Sequence, residues 1–232
     1  MAIKVNREKR AVTIYTVYER FWHWSQAILI FILAFSGFGL HGTISFVDFA
    51  TAVTVHSIAA ILLIVLWIFT TFWNFTTGNW RQFLPNTRGL FAVVRYYAWG
   101  ILFGEEHPHK KTLRRKQNAL QGLAYLTFMV IIGPALWLSG IVYMTYDLWN
   151  SDPSAAGYLG IVAGMHTLAA YLMVSFVIIH IYMTTTGKTP LHYVKTMITG
   201  VETVELTEVE RAYLEQEYPS RLKDDEMGSD AG

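Results

Sequence analysis

Residues 157–186 are thirty consecutive positions without a formal charge. As a helix this run reaches about 45 Å, enough to cross the roughly 30 Å hydrocarbon core of a bilayer. It holds two histidines, His166 and His180. Fourteen residues at ~100° each bring them within about 40° of one helix face, and ~1.5 Å of rise per residue separates them by about 21 Å in depth. One face of one membrane helix therefore offers an imidazole near each side of the bilayer.

Three more apolar runs have spanning length: 21–40, entered one turn earlier near Tyr18, then 50–75 and 118–144. Between the second and third lies a polar stretch, 74–117. Inside it, 90–103 is apolar and aromatic but short and interrupted by Arg95, the pattern of an amphipathic helix lying in the membrane interface. The expected fold is an all-α integral membrane protein: a four-transmembrane-helix bundle with an interfacial amphipathic helix and a cytoplasmic C-terminal tail. Residues 1–200 form the membrane domain and 201–232 an acidic tail. Within the tail, Thr207-x-x-Glu210 reads as a capping box opening a short helix that stops before Pro219. The last dozen residues are charged and small, a disordered composition. No cleavable signal peptide is expected, because the first apolar segment is long and lacks a small-residue cleavage site.

The basic residues orient the bundle. The N-terminal segment carries five, the middle stretch eight and the C-terminal segment five, together all 18 lysines and arginines, while the two short links carry none. With four spans every basic residue lies on one side, which the positive-inside rule assigns to the cytoplasm. A fifth span over 90–103 would destroy that asymmetry. Both termini are then cytoplasmic, and the links with Asp48, Asp147 and Asp152 face the periplasm of a bacterial inner membrane. Trp22, Trp24, Tyr146, Trp149 and Tyr158 fall at the interfaces.

With the topology set, four histidines can be compared in depth. His23 and His180 lie toward the cytoplasmic face, His56 and His166 toward the periplasmic face. The pairs predicted are His56 with His166 and His23 with His180. Two imidazoles from facing helices at one depth suit the axial positions of a b-type haem, and neutral histidine avoids burying a charge. Zinc or copper would want three or four clustered ligands, and the two levels are too far apart for that. A lone intramembrane histidine serves equally well as helix–helix glue or proton relay; four of them, paired by depth and absent from the third span, favour ligation. The chain has no cysteine, which excludes disulfides, cysteine-ligated clusters and covalent c-type haem attachment within it. A net charge of +1 gives no reason to expect a nucleic-acid partner.

Other residues have two readings each. Arg20, three before His23, can pair with inner-haem propionates or simply anchor the cytoplasmic boundary. Gly37, Gly39, Gly133, Gly140 and Gly164 can admit a flat macrocycle or close helix packing; packing is the expectation for most, and Gly164, beside His166, is the better candidate for the macrocycle. His41 is expected at the outer end of span one, His107 and His109 in a solvated turn, and His192 in the interface.

At this point the sequence resembles the four-helix dihaem cytochrome b subunits of bacterial respiratory formate dehydrogenases, nickel–iron hydrogenases and thiosulfate reductases. The residues that carry the resemblance are Arg20-Phe-Trp-His-Trp24 on span one, His56 on span two and His166-x13-His180 on span four. Asn118-Ala-Leu-Gln-Gly122 and His180-Ile-Tyr-Met-Thr-Thr-Thr-Gly187 belong to it as well, over about residues 12–200. The resemblance implies two haem b groups, a quinone (menaquinone or ubiquinone) exchanging electrons near the inner haem, and periplasmic-facing partners: an iron–sulfur or c-type cytochrome protein with a catalytic subunit. In the formate dehydrogenase branch the loop opening span three lines the quinone pocket, and Asn118 and Gln121 match it; Leu120 stands where that branch has glycine. The plainer reading of Asn118 is a helix N-cap.

The expected function is the membrane-anchor, quinone-reactive dihaem subunit of a respiratory complex. No catalytic residue of a dedicated active site is visible in the chain. Its rivals are a stand-alone dihaem enzyme passing electrons from superoxide or another small reductant to quinone, and a haem-free transporter or scaffold.

Overall fold

A computed structural model describes residues 7–80, 89–105, 118–151, 154–187 and 189–223. The basic residues Arg81, Arg88, Lys110, Lys111, Arg114, Arg115, Lys116 and Lys188 lie outside the described residues, as do His107, His109, Asp152 and the tail from 224 onward.

Among the described residues four helices are long and apolar enough to cross a membrane. Span one is α1 (Val17–Leu40), and span two is α2 (Phe49–Thr76). Span three joins α4 (Ala119–Thr127), a π-helical turn (Phe128–Ile132) and α5 (Gly133–Met144). Span four is α7 (Ala155–Thr184). The π turn has a local cause. Pro134 lacks an N–H and its ring crowds the carbonyl four residues back, and one wide turn absorbs both faults without breaking the span. The 90–103 segment folds as a helix, α3 (Leu90–Ala98), followed by a 3-10 turn (Gly100–Phe103); it leaves Phe91, Trp99, Leu102 and Phe103 exposed and buries Val93. A short α6 (Tyr146–Trp149) sits in the second link.

The described chain divides into two compact units. The span unit covers 25–180. Its interior is built from small residues: Ala52, Ala59, Ala169, Ser36 and Ser139 are all buried, while Ile58, Leu62, Phe69 and Phe72 point outward. Exposed apolar surface on that scale suits lipid, where small residues let helices approach each other. Gly39 and Ala52 bring α1 against α2, with 3.6 Å between the Ala52 Cβ and a Cβ built at Gly39. Trp67 and Trp137 join α2 to α5, with ring centres 5.5 Å apart.

The terminal unit takes in the residues up to 24 and those from 181. It contains a feature absent from the sequence reading, an antiparallel strand pair. Strand β1 (Arg7–Thr13) pairs with β2 (Val201–Thr207), Arg7 opposite Thr207 and Thr13 opposite Val201. Lys223 then returns to the other side of β1, its N–H donating to the Ala11 carbonyl at 3.0 Å. Helix α8 (His192–Thr199) ends at Gly200, whose φ of 82° is left-handed and whose absent Cβ would lie 2.6 Å from the Tyr15 carbonyl oxygen. Only glycine fits there. The Gly200 carbonyl in turn accepts from the N–H groups of Ile14 and Tyr15. Helix α9 (Glu208–Glu217) starts on the expected Thr207/Glu210 capping box and ends before Pro219. A second box, Thr16 with Glu19, opens α1; it went unread in the sequence.

Candidate functional site

The pair His56 and His166 is brought together within the span unit. Their ring centres are 6.2 Å apart and their planes meet at 66°. Each ring is held from behind by the preceding span. Ser36 on α1 places its Oγ 3.0 Å from His56 Nδ1, and Ser139 on α5 places its Oγ 3.0 Å from His166 Nδ1. Each serine is followed by a glycine that packs against the imidazole. A Cβ at Gly37 would stand 3.5 Å from His56 Cε1, and one at Gly140 would stand 3.4 Å from His166 Cε1, both van der Waals contact.

The hydrogen bonds select a tautomer. A serine hydroxyl has one proton. Ser36 donates its proton to the Ile32 carbonyl at 2.7 Å, and Ser139 donates to the Ala135 carbonyl. Each Oγ is then an acceptor toward the imidazole, so Nδ1 carries the ring proton. The Leu136 carbonyl, 3.0 Å from His166 Nδ1, can only accept and requires the same tautomer. A neutral imidazole protonated at Nδ1 keeps its lone pair on Nε2. Among the described residues neither Nε2 has a hydrogen-bond partner, and both histidines are half-buried.

The other expected residues fall as follows. Asn118 is buried and caps α4: its Oδ1 accepts from the Gln121 N–H at 2.8 Å while Gln121 Oε1 accepts from the Asn118 N–H at 3.0 Å. The N-cap reading is thus present in full. Asn118 Nδ2 also donates to the Tyr97 hydroxyl at 3.4 Å, which ties α3 to span three. Arg20 donates through a terminal nitrogen to the Ile198 carbonyl at 2.7 Å, satisfying the last turn of α8 inside the terminal unit. His23, in that unit, meets the Trp24 ring edge-on at 5.2 Å. His180, in the span unit, lies parallel to the Phe176 ring one turn back, 6.1 Å between centres. Phe176 stacks in turn on Phe128. His41 reaches across to Thr167 Oγ1, 3.5 Å from its Nε2. His192 is 3.4 Å from Glu202 in the terminal unit.

A Cβ at Gly164 meets nothing within 4 Å, whereas Gly37 and Gly140 touch the imidazoles. Ser36 and Ser139 went unnoticed in the sequence. One signal pointed to them: Ser-Gly occurs twice in the chain, near the end of the span preceding each of these histidines.

A model of the family described as prokaryotic cytochrome b561 matches residues 14–200. The chain belongs to the prokaryotic cytochrome b561 family. It is similar to the Escherichia coli K12 protein named "Putative cytochrome YdhU", 30% identical over 199 residues that cover 82% of this chain and 74% of that one. It is also similar to proteins named "Probable Ni/Fe-hydrogenase B-type cytochrome subunit". The one from Rhodobacter capsulatus is 26% identical, with 76% of this chain and 74% of that one covered; the one from Rhizobium leguminosarum bv. viciae is 24% identical, with 76% and 81% covered. As a member of the cytochrome b561 family the chain is a multi-pass membrane protein that uses b-type haem to transfer electrons.

The residues present fit that cofactor. Two neutral imidazoles from different spans approach to 6.2 Å between ring centres, and imidazole nitrogen is the donor that would hold a haem iron. The anchored Nδ1 atoms and unpartnered Nε2 atoms are the arrangement that ligating histidines adopt.

Proposed function

We propose that this chain is the dihaem membrane subunit of a bacterial respiratory oxidoreductase. In this reading it moves electrons across the inner membrane between a periplasmic redox partner and a quinone near the cytoplasmic face. The observation that carries the reading is the His56–His166 pair, each ring fixed at Nδ1 and free at Nε2. Two further facts support it. His23 and His180 supply a second pair at the other depth by sequence spacing, and two relatives bear names of hydrogenase cytochrome subunits.

His56 and His166 hold the outer haem, His23 and His180 the inner one. A bound b-type haem supplies a one-electron couple. The protein residues set the ligand protonation, exclude charge from the spans and space the two levels. Asn118, buried, uses its Oδ1 for the cap and one Nδ2–H for Tyr97, while Gln121 caps through its Oε1 alone and offers its Nε2–H donors to a quinone carbonyl. A quinone at that end exchanges protons with the cytoplasm, so each turnover moves charge across the membrane. Arg20 steadies α8, and the cytoplasmic placement of both termini follows from the 18 basic residues.

The test is a ligand-by-ligand loss of haem in the membrane complex. His56→Ala and His166→Ala should remove the same haem, and His23→Ala and His180→Ala the other, read from low-temperature reduced spectra. If His56→Ala and His166→Ala removed different haems, the pairing and the topology behind it would be wrong. Gln121→Glu preserves the capping oxygen and deletes the amide donor; it should leave both haem spectra intact and slow haem reduction by quinol about tenfold, roughly 1.4 kcal/mol. An unchanged rate would remove Gln121 from the quinone site.

A further inference from the structure

Spans one and two, and spans three and four, present a histidine by the same device. In each pair the first helix carries Ser-Gly near its link end, and the second carries the histidine. Ser36 lies four residues from the end of α1 and Ser139 five from the end of α5. Both hydroxyls donate back into their own helix, Ser36 to the Ile32 carbonyl and Ser139 to the Ala135 carbonyl. Both turn a lone pair to Nδ1 at 3.0 Å. Both serines are buried, at 3% and 7% exposure, so water does not compete for the bond. Both are followed by a glycine that lies against the ring.

We infer that Ser36 and Ser139 are matched positioning residues that lock the tautomer and the basicity of the two outer-haem ligands and thereby set that haem's midpoint potential. This rests on the proposed role of His56 and His166. The chemistry is direct. An Nδ1–H that donates a hydrogen bond makes the imidazole a stronger electron donor through Nε2. Stronger donation favours the oxidised iron and lowers the potential. Removing either acceptor weakens that donation and frees the ring to rotate or adopt the other tautomer.

Each ring also has a backbone carbonyl acceptor that survives loss of its serine: Leu136, 3.0 Å from His166 Nδ1, and Leu33 for His56. Either Ser→Ala variant still disturbs its ring, because the hydroxyl is one of two groups sharing the ring proton. Thr in place of either serine keeps an Oγ that can bond both the carbonyl four residues back and the ring.

The experiment uses the full-length chain purified in detergent with its haem. Ser36→Ala and Ser139→Ala should each raise the midpoint potential of one haem and leave the other in place. They should also weaken retention of that haem by roughly 10–100-fold, the usual effect of deleting a partner that orients a metal ligand. The altered haem is the one that His56→Ala or His166→Ala removes. Its low-spin electron paramagnetic resonance signal should shift, and Ser36→Thr and Ser139→Thr should restore both signal and potential. If the histidine variants remove a haem but the serine variants leave its potential and resonance signal unchanged, the inference fails and the ligand assignment stands. If the histidine variants leave both haems bound, the ligand assignment itself fails. A loss of protein yield common to Ala and Thr variants, with normal spectra in what remains, would mark the serines as packing residues and overturn the inference.

Discussion

The terminal unit buries Val12, Ile14, Leu206 and Leu214, as a water-soluble domain would. The span unit buries mainly Ala52, Ala59, Ala169, Ser36 and Ser139 and turns Ile58, Leu62, Phe69 and Phe72 outward. The difference follows from the solvent. In water a leucine gains by leaving the surface; in lipid it gains almost nothing, and helices associate through close contact and hydrogen bonds. The same rule gives the histidines their setting. A ring can be seated between spans because its neighbours are serine and glycine, and each serine hydroxyl satisfies one ring nitrogen, Nδ1.

Five substitutions and one pH titration probe this contrast. The largest effect should come from Leu214→Ala, which empties a fully buried site in the terminal unit and costs about 2–5 kcal/mol. Hydrogen exchange of the β1 and β2 amides should accelerate while the haem spectrum of the span unit holds. Next, Ala52→Leu forces bulk against Gly39 and costs about 1–3 kcal/mol. Phe69→Leu on the outward face should cost far less; thermal melts in detergent decide, and equal losses would contradict the inside-out packing.

Smaller is Thr207→Ala, which deletes the capping box of α9 and costs about 1 kcal/mol, measurable as a shift in the denaturation midpoint of the terminal unit. Smallest is a pH effect at Asp48, which caps α2 by accepting the Thr51 N–H at 2.9 Å. The Thr51 side chain first, and then this backbone N–H, hold its carboxyl below the usual carboxylate range. The cap therefore contributes fully above the ordinary carboxylate pKa and fades as pH falls through the lowered one. Asp48→Asn should flatten this acid dependence in amide exchange of the first turn of α2.

The spans were legible because a bilayer demands about twenty apolar residues in a row, and the chain supplies four such runs. The capping box of α9, Thr207 with Glu210, and the N-cap of α4 at Asn118 were legible because their chemistry is local; that Gln121 closes a box with Asn118 emerges only from the structure. The strand pair was not. Arg7–Thr13 and Val201–Thr207 are short and rich in charge, and a strand acquires its ladder only from its partner, here at the opposite end of the sequence. The serine anchors were hidden for a similar reason. In an apolar helix Ser36 and Ser139 read as ordinary small packing residues until another span sets an imidazole against each. The bond of Arg20 to the Ile198 carbonyl was not legible, because it depends on α8, far along the chain; the sequence offered a propionate partner or a boundary anchor instead.

The measurement closest to the central claim is the haem b content per chain of the detergent-purified protein, taken from the reduced pyridine–haem spectrum. Two haems per chain are predicted, one for His56 with His166 and one for His23 with His180. A value of one, or none, in protein made with its haem supply intact would contradict the two-level relay.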